Sequence, residues 1–99
     1  MAYMSATASL TDPNDDAAVI AWILARIEAA PDIYVRPLDA APTPATRLDA
    51  DLGIDSIGKI GLFYEIADAL ECETSEEDEA SVADWRCLGD VIAFVRRSL

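Results

Sequence analysis

Pro31, Pro37, Pro42 and Pro44 place four prolines within fourteen residues near the middle of the chain. A proline inside a helix removes a hydrogen bond and clashes with the preceding turn, at a cost of about 3 kcal/mol. No helix crosses that stretch. On both sides of it apolar residues recur at helical spacing: Ile20, Ile23, Leu24 and Ile27 before, and Ile57, Ile60, Leu62, Phe63, Ile66 and Leu70 after. Between these two helices runs a connection of twenty-five residues, Pro31 to Asp55, longer than compact domains usually use. Leu38, Leu48, Leu52 and Ile54 are aliphatic residues within it. Thr43-Pro44 predicts a single helical turn within it.

The first helix is predicted to begin with Asp12 as N-cap, Pro13 at the first helical position, and Asp15 and Asp16 in the first turn. Val19 and Trp22 widen its apolar stripe, and Pro31 stops it near Ala30. The second helix runs from Ser56 to about Glu71, with Gly58 and Gly61 inside it at a cost of about 1 kcal/mol each against alanine. Ser75 followed by Asp78 predicts a capped short helix from about Glu76 to Asp84. The last helix, Leu88 to Arg97, has apolar residues at 88, 91, 92 and 95, with Asp90 early and two arginines late, as the macrodipole favours. Hydrophobic content of 53%, rich in alanine and poor in glycine and aromatics, favours helix over strand. The expectation is an all-α four-helix bundle over residues 12–99, three helices long and one short. Residues 1–11, with Ser5, Thr7, Ser9 and Thr11, are expected to form a disordered extension.

Charge narrows the function classes. Nineteen acidic residues against seven basic ones give a net charge of −12, and nine acids lie between Glu65 and Asp84 without a base. That field repels nucleic acid and anionic membranes and suits basic protein surfaces, chiefly by speeding encounter. No run is long enough to span a bilayer. Met1 to Asp12 has neither the basic nor the apolar part of a secretory signal. Cys72 and Cys87, with no histidine in the chain, are too few for a zinc site and read as small apolar residues. Without histidine, Ser-His and Cys-His catalysis are removed. A monomeric, cytoplasmic protein that is not an enzyme and holds no metal is expected.

The segment Asp51-Leu52-Gly53-Ile54-Asp55-Ser56-Ile57-Gly58-Lys59 carries the chemistry. Ser56 stands at a helix N-terminus, where unpaired amides and the positive dipole end favour a phosphate. Serine is also an ordinary N-cap, so its surroundings decide. Asp-Ser-Ile at the start of the second helix, the long loop before it, the acidic balance, and Cys87-Leu88-Gly89-Asp90-Val91 leading into the last helix together resemble the acyl carrier proteins. The resemblance covers about residues 12–98, and it implies that the long loop packs across the bundle with Leu38, Leu48, Leu52 and Ile54 as its buried anchors. It implies a bundle of the acyl carrier type, with 4′-phosphopantetheine attached to Ser56 by a phosphopantetheinyl transferase. The arm's thiol would carry acyl intermediates as thioesters, for fatty-acid or related lipid or secondary-metabolite biosynthesis. Asp55 would help to position the serine and the transferase's divalent metal. Acyl-transferring and ketosynthase-type enzymes with basic docking surfaces would meet the second helix at Asp55, Ile57, Gly58, Gly61, Tyr64, Glu65 and Asp68. Ile60, Phe63, Ala80 and Val82 would shelter an acyl chain, or else serve as ordinary core.

Two departures from the family pattern matter. Its docking helix is acidic just after the serine, whereas this chain has Gly58, Lys59 and Gly61 there and resumes acids at Glu65 and Asp68. Cys87 also replaces the usual capping threonine. The first suggests a specialised bacterial member with a restricted partner set, its glycines leaving room for a partner backbone or the arm. An aminoacyl or polyketide carrier has the same fold and serine, and a helical interaction module that carries nothing is a further alternative. A calcium loop through Asp49, Asp51 and Asp55 is disfavoured, because Gly53 takes a ligand position and Ile60 replaces the closing glutamate.

Overall fold

A computed structural model describes residues 10, 12–30, 33, 35–38 and 40–99. Among them are four α-helices: α1 Asp16–Ala29, α2 Ser56–Ala69, α3 Glu76–Ser81 and α4 Leu88–Ser98. A 3-10 turn, Val82–Asp84, continues α3. The described residues contain no strand, only an isolated antiparallel bridge between Arg47 and Cys87. The Cα radius of gyration is 12.7 Å, close to the value of about 13 Å for a hundred-residue domain.

α1 starts later than its sequence suggests. Asp12-Pro13-Asn14-Asp15 closes a β-turn, in which the Asp15 amide donates to the Asp12 carbonyl at 3.2 Å and the Asn14 amide to Asp12 Oδ1 at 3.1 Å. Aspartate first and proline second favour that turn as much as a helix start. Asp15 therefore replaces Asp12 as the N-cap, accepting from the Ala17 amide at 3.1 Å. At its other end the helix stops at Ala29, with Ala30 as C-cap.

α2 ends two residues before the expected Glu71. Leu70 is the C-cap, and Glu71 has a φ of 54°. The Cys72 amide donates to the Ala67 carbonyl and the Glu71 amide to the Asp68 carbonyl, each at 3.1 Å. These are the two bonds of a Schellman motif, with glutamate where glycine is usual. α3 has the capping box that its spacing predicts: the Asp78 amide donates to Ser75 Oγ at 3.2 Å and the Ser75 amide to Asp78 Oδ2 at 3.1 Å. At the start of α4, Asp90 Oδ2 accepts from the Arg86 amide at 2.8 Å and the Cys87 amide at 3.3 Å, with the Cys87 thiol at 3.7 Å. The Arg86 amide foremost holds the Asp90 carboxyl below the usual carboxylate range, against the opposing effect of partial burial.

α1 packs on α2 and α4, and α2 also meets the 3-10 turn. Phe63 is fully buried between Phe94 and Trp85, with ring centroids 5.2 and 6.2 Å away. Neither Trp85 nor Phe94 belongs to the apolar stripe read from the sequence. From α2 only Leu62, Phe63, Ile66 and Ala67 are buried. Ile57 is 77% exposed and Ile60 41%, so the apolar run of α2 is wider than its core face. α3, six residues long and without a buried residue of its own, is too short to cover the rest.

The long connection is anchored as its aliphatics suggest. Leu48, Leu52 and Ile54 are buried, and Leu38 packs half-buried against the core together with Ile33 and Val35. The Leu48 amide donates to the Arg86 carbonyl at 3.0 Å, the Leu88 amide to the Thr46 carbonyl at 2.9 Å, and the Gly89 amide to the Pro44 carbonyl at 2.8 Å. Thr43-Pro44 opens a hydrogen-bonded turn instead of a helical one. There the Thr46 amide donates to the Thr43 carbonyl at 3.0 Å, and the Thr43 amide to Thr46 Oγ1 at 2.8 Å. Gly53, at a φ of 76°, takes a conformation that suits glycine and turns Ile54 into the core. Apart from Leu10, which packs half-buried against the core, the expected extension of residues 1–11 lies outside the described residues.

Candidate functional site

Asp55, not Ser56, is the N-cap of α2: its Oδ1 accepts from the Gly58 amide at 2.7 Å. Ser56 is the first helical residue and is exposed. Its hydroxyl makes no hydrogen bond among the described residues. Two good capping residues stand side by side here, and the acid takes the structural task while the serine oxygen faces outward.

Gly58 does not leave room for a partner, as its lack of a side chain suggested. A Cβ there would lie 2.8 Å from Ile54 Cγ2 and 3.2 Å from Asp55 Oδ1, so the space is already filled by the turn that presents Ser56. Gly61 is different. It is exposed, and a Cβ would meet only Ile33 Cγ1 at an ordinary 3.7 Å. Ile57, Gly61, Tyr64 and Asp68 recur every three or four residues on the exposed face of α2, with Glu65 half-buried. The Tyr64 ring packs edge-on against Phe63 at 5.1 Å. The Glu79 carboxylate of α3 is the main influence that pushes the Tyr64 hydroxyl above the usual phenol range, with partial desolvation adding to it.

Beside Ser56 an open groove of about 640 Å³ runs between α2 and α3. Ser56, Lys59 and Ile60 form one wall, Glu76, Glu79 and Ala80 the other, and Val82 and Ala83 of the 3-10 turn complete it. Of the four residues expected to form an apolar shelter, Ile60, Ala80 and Val82 line the groove. Phe63 does not; it is committed to the core.

No protein-family model, curated protein or solved structure matches this chain.

The three aspartates of the calcium alternative are engaged separately. Asp49 Oδ1 accepts from the Ala50 amide at 2.7 Å and lies 3.6 Å from Arg47. Asp51 Oδ2 accepts from the Arg47 amide at 2.7 Å, and Asp55 caps α2. The Ala50 amide is the main reason that the Asp49 carboxyl lies below its usual range. No group of three or more candidate metal ligands converges among the described residues. Cys72 and Cys87 are free and half-buried. No helix of the described residues is long and apolar enough to cross a membrane.

Lys59, marked in the sequence only as a departure from the acidic pattern, lines the groove, as do Glu76 and Glu79, which the sequence does not single out. Lys59 follows Ser56 by three residues, a spacing that puts them on adjoining turns of one helix and was visible in the sequence. The two glutamates reach the groove only through the packing of α3 against α2, and no local pattern announces that.

Proposed function

We propose that this protein is an acyl carrier of the four-helix type, with Ser56 bearing 4′-phosphopantetheine. One observation carries the reading: Ser56 presents an exposed, uncommitted hydroxyl on the first turn of α2, at the edge of the groove between α2 and α3. The group fits this place, because the neighbouring Asp55 caps the helix and the serine oxygen is left for a phosphodiester. When bound, the arm supplies the thiol that holds acyl groups as thioesters. Asp55 fixes the turn through Oδ1, and its carboxylate would help to position the transferase's divalent metal. Ile60, Ala80 and Val82 offer apolar surface beside the attachment point. The exposed face from Ile57 to Asp68 is the docking surface for the transferase and for ketosynthase-type and acyl-transferring partners. That face is more apolar next to Ser56 than in the usual members of the family, which fits a restricted partner set.

A carrier of aminoacyl or polyketide units is favoured by one feature. Lys59, Glu76 and Glu79 stand beside the groove's apolar residues and offer partners to the polar groups of such a cargo. Incubation with coenzyme A and a broad-specificity transferase should add one phosphopantetheine by intact mass, and Ser56→Ala should abolish the shift. A wild-type protein left unmodified by several transferases would overturn the proposal.

A further inference from the structure

In a chain of net charge −12, Lys59 is the base that lines the groove beside Ser56. Residues three apart on a helix are neighbours, with Cβ atoms about 5–6 Å apart. Lys59 is half-buried and makes no ion pair within the described residues, although Glu76 and Glu79 stand on the opposite wall. Asp49, on the loop, feels its charge only weakly. A lysine on the rim of an acidic domain ordinarily finds a carboxylate; this one lines the same groove as an unbonded serine hydroxyl.

We infer that Lys59 is the counter-ion of the phosphodiester on Ser56, and that it draws the arm into the α2–α3 groove instead of leaving it extended in solvent. The inference rests on the carrier reading above. A phosphodiester is anionic throughout the working pH range, and the lysine ammonium is a compact, mobile point charge able to follow it. Docking the start of the arm in this way directs the thioester along the groove toward Ile60, Ala80 and Val82, whose wall would shield one side of it.

The test compares apo and holo forms of wild type, Lys59→Arg and Lys59→Met. Methionine and lysine have similar helix propensities, so the fold is retained, and thermal melts check it. In the wild type the Lys59 side-chain NMR resonances should shift on attachment of the arm, and the phosphorus resonance of the arm should differ between wild type and Lys59→Met. Hydroxylamine should cleave an acetyl thioester about threefold faster on the Lys59→Met protein, with Lys59→Arg close to wild type. Unchanged Lys59 resonances in a protein whose mass shows the arm would overturn the inference and leave the carrier reading standing. Absence of the arm would overturn both.

Discussion

Glu71 is the one non-glycine residue at positive φ among those described, and it sits where the Schellman motif prefers glycine. A left-handed conformation costs an L-residue about 1–2 kcal/mol. Glu71→Gly should therefore raise stability by about 1 kcal/mol, seen as a higher denaturant midpoint at unchanged slope. Asp90 offers the opposite case, because its carboxylate gathers the Arg86 and Cys87 amides at the start of α4. Its folded-state pKa lies below that of a free aspartate, so its contribution is complete above about pH 4 and is lost as pH falls through the folded value. Asp90→Asn should cost about 1 kcal/mol near neutrality, and the gap to wild type should close on acidification. A gap that stays constant from pH 7 to pH 2 would show that the charge plays no part. The same attention to single residues separates Ser56 from Asp55: their neighbourhood marks a helix start, but which one caps depends on backbone geometry that adjacent, equally good capping residues do not reveal.

Along α2, the two glycines should respond differently to the same substitution. Gly61→Ala should stabilise by about 0.5–1 kcal/mol through helix propensity, since its Cβ meets nothing closer than 3.7 Å. Gly58→Ala gains the same propensity and then drives a Cβ to 2.8 Å from Ile54, so it should lower the melting temperature and loosen the Asp55 cap. If docking is charge-driven, Gly61→Glu alone should speed transfer to basic partner enzymes at low salt, without the packing penalty of a change at 58. These elements show what sequence can disclose. The Ser75–Asp78 box, the stop after Ala29 and the anchors Leu48, Leu52 and Ile54 follow from local chemistry or from the necessity of burying a long loop. The start of α1 was misplaced because Asp12-Pro13-Asn14-Asp15 satisfies turn and helix rules equally. Ile57 and Ile60 share one apolar run with Leu62 and Ile66, and periodicity cannot tell how much of that face a short α3 will cover. The groove itself was only half legible, since Glu76 and Glu79 are brought to Ser56 by tertiary packing.

Across the whole molecule, charge is poorly neutralised. Arg96 ties the end of α4 to the start of α1 through the Pro13 carbonyl at 2.7 Å and Asp16 at 2.6 Å, and Arg97 reaches Asp78 at 3.5 Å. Such exposed pairs contribute little each, whereas nine acids between Glu65 and Asp84 have no base among them. Raising sodium chloride from about 10 mM to about 300 mM should screen that repulsion and lift the melting temperature by several degrees. A melting temperature indifferent to salt would show that the acids are spaced widely enough not to interact. The stitching of the loop to the start of α4 bears on time as well as on stability. Arg47 and Cys87 are bridged across forty residues of chain, and closing so large a segment costs entropy before its hydrogen bonds return anything. Helices α1 and α2 can form from neighbours in sequence, but the Leu48 and Leu88 amides must wait for the chain between them to collapse. Truncating Leu48 to alanine should thus accelerate unfolding strongly and barely slow folding, so that the middle of the loop is the last part of this protein to learn its place and the first to forget it.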